Sequence, residues 1–153
     1  KVYAVDELLK FAIQIEEDGL AFYQKMSAGS AEPEVKALFT TLQEDEARHK
    51  KIFEELLAEE KRTEAQISFP DEYELYLKAL VRSTVFPKDT AILSKLVDDA
   101  EIIEYAIGKE KDSILFYAEM KSSVADGGRL IEKIINEEKL HIIKLLDMKE
   151  KLG

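Results

Sequence analysis

Along most of the chain, apolar residues return every three or four positions, which marks helices that turn one face to a core. From about Val5 to Ala28 the series Leu8, Ala12, Ile15, Gly19, Phe22 and Tyr23 predicts a first helix, helix A, ended by Gly29-Ser30. Pro33 suits a first helical position and opens helix B, expected to run to about Glu60 on the stripe Phe39, Leu42, Glu46, His49 and Phe53. Asp98 and Glu101 have the spacing of a capping box and start helix C, expected from about residue 99 to Val124. A tight turn at Asp126-Gly127-Gly128 leads into helix D, from about Arg129 to Lys151, with the stripe Ile131, Ile134, Glu138, His141 and Leu145. Residues 61 to 98 break this rhythm: Phe69-Pro70 and Phe86-Pro87 punctuate them, around one short amphipathic piece carrying Tyr73, Tyr76, Leu77 and Leu80. A connection of that length can cross from one end of a helix bundle to the other. Its amphipathic piece reads as a lid over the bundle.

Two of these stripes are interrupted in the same way. The chain has 2 histidines, and each follows a glutamate by three residues, in Glu46-Ala47-Arg48-His49 and Glu138-Lys139-Leu140-His141. One helical turn apart on one face, a carboxylate and an imidazole can reach the same metal ion. Given the glutamate content, both histidines would have such a neighbour by chance about one time in fifty, so the motif alone is weak. An internal repeat strengthens it. Helix A reads Ala12, Glu16, Gly19, Phe22, Tyr23 where helix C reads Ala106, Glu110, Ser113, Phe116, Tyr117, each pair 94 positions apart, and helices B and D match at a spacing of 92. The chain is two copies of a helix pair, and steps of four, three and four keep Glu16 and Glu110 on the core side of their helices. Glu17 and Glu137 point about 100° away from that side and are expected in solvent.

At 153 residues the chain is expected to form one domain, residues 1–153, made of the pair A/B (about 5–60), the crossover (about 61–98) and the pair C/D (about 99–151). The formal charge of −10 argues against nucleic-acid binding. The absence of Cys removes disulfides, thiolate chemistry and iron–sulfur clusters from this chain, so electrons for any redox reaction must come from an external donor. No apolar run reaches the roughly 20 residues of a membrane span, and the amphipathic pattern begins at once; the expectation is a cytoplasmic chain without membrane attachment.

Four carboxylates and two imidazoles thus converge inside a predicted all-α four-helix bundle. Left alone, four buried carboxylates repel one another and lose their hydration, whereas two divalent cations cancel their formal charge. One Glu from each of two helices with Glu-x-x-His from each of the other two is the ligand pattern of ferritin-like di-iron and di-manganese proteins. On these residues the chain resembles the rubrerythrin-like members of the ferritin-like superfamily across nearly its whole length. The resemblance implies metal ligands at Glu16, Glu46, His49, Glu110, Glu138 and His141, and tyrosines that hydrogen-bond the ligand carboxylates at Tyr23 and Tyr117. It departs from rubrerythrins at Ser113, where they carry a further helix C glutamate, and in lacking a Cys-ligated rubredoxin segment. The donor set suits two iron ions, with manganese as the other candidate. The expected function is an oxidoreductase acting on peroxide or dioxygen, supplied by an external electron donor and assembled as a homodimer. The alternatives are ferritin-like iron oxidation and storage, and a structural site in which the metals only neutralise buried charge.

Overall fold

The repeat seen in the sequence is also the plan of the fold. In the computed structural model, which describes residues 2–60, 66–68, 71–84, 98–121, 124 and 127–153, five helices follow one another. They are α1 (Val5–Gly29), α2 (Pro33–Glu60), α3 (Asp71–Thr84), α4 (Asp99–Lys121) and α5 (Gly128–Leu152). α1 packs mainly on α2 and α4 mainly on α5, so the four long helices are two hairpins laid together, as the patterns of helices A to D predicted. The capping residue before α4 behaves as expected: Asp98 Oδ1 accepts the backbone N–H of Glu101 at 2.8 Å, satisfying a first-turn donor with no partner inside the helix. The described part of α4 reaches Lys121, and Val124, expected as its last residue, is not helical.

The hairpin α4–α5 is pinned at both ends by ion pairs, Lys121 to Glu132 and Lys149 to Glu104. At its turn, Gly127 sits where a Cβ would meet Val124 Cγ1 at 2.7 Å and Leu56 Cδ2 at 3.1 Å, so any side chain there would force Val124 to shift. Asp126 and most of the crossover, including both Phe-Pro pairs, lie outside the described residues. Within the crossover α3 packs on α4 and contributes the buried Leu77 and Leu80, Leu80 within the core, in keeping with a covering role.

One element was not foreseen. Val2–Ala4 and Gln66–Ser68 form an antiparallel two-stranded ladder, pairing Val2 with Ser68, Tyr3 with Ile67 and Ala4 with Gln66, and tying the start of the chain to the crossover. Three residues are too few for a period-two pattern to stand out, and only tertiary contact brings the partners together.

The core divides into two apolar halves. One half gathers Leu8, Leu9, Ile15, Phe53, Phe116, Met120, Ile131 and Ile134, and the other Phe22, Val35, Phe39, Leu42, Ile103, Ile107 and Leu145. All four long helices contribute to both. Between these halves lies a layer of buried polar side chains.

Candidate metal centre

That layer is built by the periodic stripes themselves. Where α1, α2, α4 and α5 would each bury another Leu or Ile, they bury Glu16, Glu46 with His49, Glu110, and Glu138 with His141, none more than 4% exposed. The structure brings all six residues named from the sequence together, in two overlapping groups. Glu16, Glu46, His49 and Glu138 form one, and Glu46, Glu110, Glu138 and His141 the other, with the candidate ligand atoms of each group all within 4.8 Å of one another. Glu46 and Glu138 belong to both. The imidazole rings lie nearly parallel, their centroids 5.9 Å apart.

Each repeat holds the other's side chains in place. Tyr23 on α1 donates its hydroxyl hydrogen to Glu110 Oε1 on α4 at 2.6 Å, and Tyr117 on α4 donates to Glu16 Oε1 on α1 at 2.6 Å. This is the carboxylate contact expected of the two tyrosines. Both phenols are fully buried and their pKa values are driven well above 10, by burial first and then by the surrounding glutamates, so they remain proton donors. The histidines are held in the same crossed fashion. His49 Nε2 lies 2.8 Å from Glu137 Oε2 on α5, and His141 Nε2 lies 2.9 Å from Asp45 Oδ2 on α2.

Glu137 therefore corrects the sequence reading, which put it in solvent. Its position about 100° off the core stripe faces the adjoining helix α2, and there it meets both His49 and Arg48. Glu17 does lie at the surface, 55% exposed, with Lys50 Nζ 3.9 Å away. Asp45 and Arg48 were missed altogether. Arg48 donates from Nη1 to both oxygens of Glu137 at 3.0 Å and from Nη2 to Asp45 Oδ1 at 2.9 Å, so a single guanidinium bridges the two carboxylates that hold the two histidines. For Asp45 and Glu137 a signal existed: an acidic residue directly precedes the motif glutamate in both repeats, 92 positions apart. Arg48 has no such signal, because Leu140 occupies its place in the second repeat.

These outer contacts fix the electrostatics. Burial raises the pKa values of Asp45 and Glu137, but His141 and Arg48 around Asp45, and Arg48 and His49 around Glu137, outweigh it and hold both below the usual carboxylate range. An ionised carboxylate accepts hydrogen, so each Nε2 carries the proton and, in the neutral ring, Nδ1 turns a lone pair inward. Burial pulls His49 down, yet the carboxylates of Glu138 and Glu16 beside Nδ1 raise it to about 10, and His141 is likewise raised against its burial by Glu138 and Asp45. Burial, with Glu138 and Glu16 adding to it, lifts Glu46 well above its ordinary value. Glu138 is held low by the two histidines in spite of burial. Protons are doing the neutralising that cations could do.

The inner side of the layer is unsatisfied. Glu16 Oε2, Glu46 Oε1, His49 Nδ1, Glu110 Oε2, Glu138 Oε1 and His141 Nδ1 are all buried without a hydrogen-bond partner. His49 Nδ1 approaches Glu138 Oε1 to 2.7 Å without the alignment of a hydrogen bond. Buried polar atoms of this kind are costly unless something binds them. Six inward oxygen and nitrogen donors, one from each residue, fit a pair of divalent ions. Ser113, where rubrerythrins carry a further glutamate, is buried and donates its hydroxyl to Lys109 O at 3.0 Å, a bond within its own helix.

Comparison with known proteins agrees with this geometry. The family model described as Rubrerythrin matches residues 7–149. Among solved structures, one described as a candidate ferritin-like diiron-carboxylate protein from Thermotoga maritima is 30% identical, with a TM-score of 0.73 over 99% of this chain and 97% of that one. Among curated proteins none matches.

Proposed function

Because the chain belongs to the rubrerythrin family, we propose that it holds two iron ions between its helix pairs and acts as an oxidoreductase that reduces a small oxidant, peroxide or dioxygen. The observation that carries this reading is the set of six inward ligand atoms, buried and without a hydrogen bond, one on each of Glu16, Glu46, His49, Glu110, Glu138 and His141. Glu16 and His49 serve one ion and Glu110 and His141 the other, while Glu46 and Glu138, common to both groups, can serve either. Two redox-active ions bound there would supply the two electrons that turn peroxide, with two protons, into two waters.

The chain's own residues prepare the place for that reaction. Tyr23 and Tyr117 each hold one oxygen of Glu110 and Glu16 and leave the other turned inward. Asp45 and Glu137 keep each histidine proton on Nε2, so Nδ1 is available. The apolar halves of the core, with Phe53 against the Tyr117 ring and Phe39 against the Tyr23 ring, exclude bulk water from both ends of the layer. The Thermotoga structure's description as a diiron-carboxylate protein supports the choice of iron. These 153 residues hold no Cys, so the electrons that restore the starting state come from outside the helix bundle.

Anaerobic titration with Fe(II), followed by addition of peroxide or dioxygen, tests the proposal. Uptake should stop near two ions per chain, and one peroxide should oxidise both. A limit of one ion, or two ions indifferent to either oxidant, refutes it. Iron uptake continuing far beyond two with mineral formation would move the function to storage.

A further inference from the structure

Arg48 stands midway on a line of contacts that joins the two histidines. Its Nη1 reaches both oxygens of Glu137 at 3.0 Å and its Nη2 reaches Asp45 Oδ1 at 2.9 Å. Beyond those carboxylates lie His49 Nε2, 2.8 Å from Glu137 Oε2, and His141 Nε2, 2.9 Å from Asp45 Oδ2. One guanidinium thus stands between the two imidazoles. The second repeat brings no arginine of its own, since Leu140 fills the equivalent place. Among the described residues, the ion pairs of Asp45 and Glu137 are with Arg48 and the two histidines alone.

An ion pair at the surface ordinarily holds little, and the Arg48 side chain is 45% exposed, with Asp45 and Glu137 at 25% and 24%. Two features set this one apart. The planar, rigid guanidinium engages both carboxylates at once, and the far end of each carboxylate is anchored on a buried imidazole. Glu137 cannot turn away from His49 without drawing Arg48 from Asp45, and Asp45 cannot turn away from His141 without drawing Arg48 from Glu137.

We infer that Arg48 joins the two metal positions into one unit: an ion seated at His49 fixes the outer contacts of His141, and the reverse, so that the centre fills in pairs. The inference rests on the dimetal reading above and deepens it. Filling in pairs suits the proposed reaction. Peroxide takes two electrons to become water, and a single redox-active ion gives it one, which leaves hydroxide and a hydroxyl radical. Arg48 hydrogen-bonds the two outer carboxylates and none of the six inward atoms, so its role is one of positioning, exerted through Asp45 and Glu137.

A mutant cycle read by Mn(II) titration calorimetry tests it. An amide offers one oxygen in place of two, so Asp45→Asn and Glu137→Gln should each break the bridge and lower the overall affinity for two Mn(II) ions by about 10-fold. Either change already frees the other carboxylate from Arg48. The Asp45→Asn/Glu137→Gln double variant should therefore bind about 5-fold or more tighter than the two losses multiplied together would allow. In an Arg48→Leu background the losses should multiply to within about 2-fold. Arg48→Lys, which keeps the charge without the planar fork, should behave as Arg48→Leu does. Nuclear magnetic resonance reads the same link without metal, since the chain has 2 histidines: Glu137→Gln, at the residue that contacts His49, should also move the ring resonances of His141 with Arg48 present and leave them in place in Arg48→Leu. All three altered side chains are partly in solvent, and a cooperative melt checks that each variant folds. Two ions bound with losses that multiply in the presence of Arg48, or with a shortfall that persists in Arg48→Leu, overturn the inference and leave the dimetal reading standing. A wild type that binds no Mn(II) overturns both, and His141 resonances indifferent to Glu137→Gln overturn the link itself.

Discussion

Glu110 offers the sharpest separation between a ligand and a structural glutamate, because the structure specifies what each oxygen does. Oε1 accepts the Tyr23 hydroxyl at 2.6 Å and Oε2 is buried without a partner. Glu110→Gln keeps an oxygen for Tyr23 and removes the charge. Glu110→Ala removes both, leaving a fully buried phenol unpartnered, which costs about 1–3 kcal/mol. Without metal, Glu110 meets other carboxylates but also His141, whose raised pKa keeps it protonated and whose Nδ1 lies 3.6 Å from Oε1, so the opposing effects should leave the Gln variant within about 1 kcal/mol of the wild type, read as no more than about 2–4 °C in melting temperature for a chain of about 150 residues. In the Ala variant the orphaned hydroxyl and the cavity add a cost, so its metal-free melt should lie below the wild type's. Metal separates both from the wild type. At a free metal concentration 100 times the dissociation constant the wild type gains about 2.7 kcal/mol, and a 100-fold loss of affinity cuts this to about 0.4 kcal/mol at the same concentration. Both variants should therefore lose most of the metal-dependent rise in melting temperature, while Glu17→Gln, a substitution at the surface, should keep it. The assay is a thermal melt by circular dichroism with and without Mn(II) under anaerobic conditions. A Gln variant that is less stable without metal and keeps its full metal-dependent shift would show that Glu110 is a structural partner of Tyr23 and no ligand.

Arg48→Leu, which installs the second repeat's residue, removes the bridge between Asp45 and Glu137; metal affinity should fall about 10-fold with little change in metal-free stability, as for loss of an outer-shell partner, and titration calorimetry finding the affinity unchanged would count against any positioning role. Without metal, the folded-state pKa values of His49 and Glu46 are both raised, so the stability they contribute is present below their unfolded values and is lost as pH rises through the folded ones, about 10 for His49. The metal-free melting temperature should accordingly fall from pH 6 to pH 9, while the metal-dependent increment grows because binding displaces protons; a metal-free melt that rises over that range contradicts the assignment. Asp98→Ala should cost about 1 kcal/mol by removing the cap of α4 without touching metal uptake, and a loss of metal uptake in proportion to stability would tie the centre to that helix end.

The helix pairs and the six inward residues were legible in the chain because both follow from periodicity. A stripe every three or four residues designates a buried face, so a Glu or His on that stripe is buried by the same rule that buries Leu42 or Ile134, and the repeat says that it happens twice. The first turn of α4 was legible for a local reason, since Asp98 reaches the backbone three residues on. What periodicity leaves undecided is the meaning of a position off the stripe. Glu17 and Glu137 each stand about 100° off their stripes, on opposite sides, and one lies at the surface while the other holds His49, because the outcome depends on which helix stands alongside. The crossed hydrogen bonds of Tyr23 to Glu110 and Tyr117 to Glu16 span 87 and 101 residues, the Arg48 bridge has no repeat counterpart, and the strands at Val2–Ala4 and Gln66–Ser68 are too short to carry a period. Contacts along one helix are set by spacing in the chain. Contacts between helices are set by how the two hairpins lie against each other, and that packing alone decided which oxygens are held and which are left for a metal.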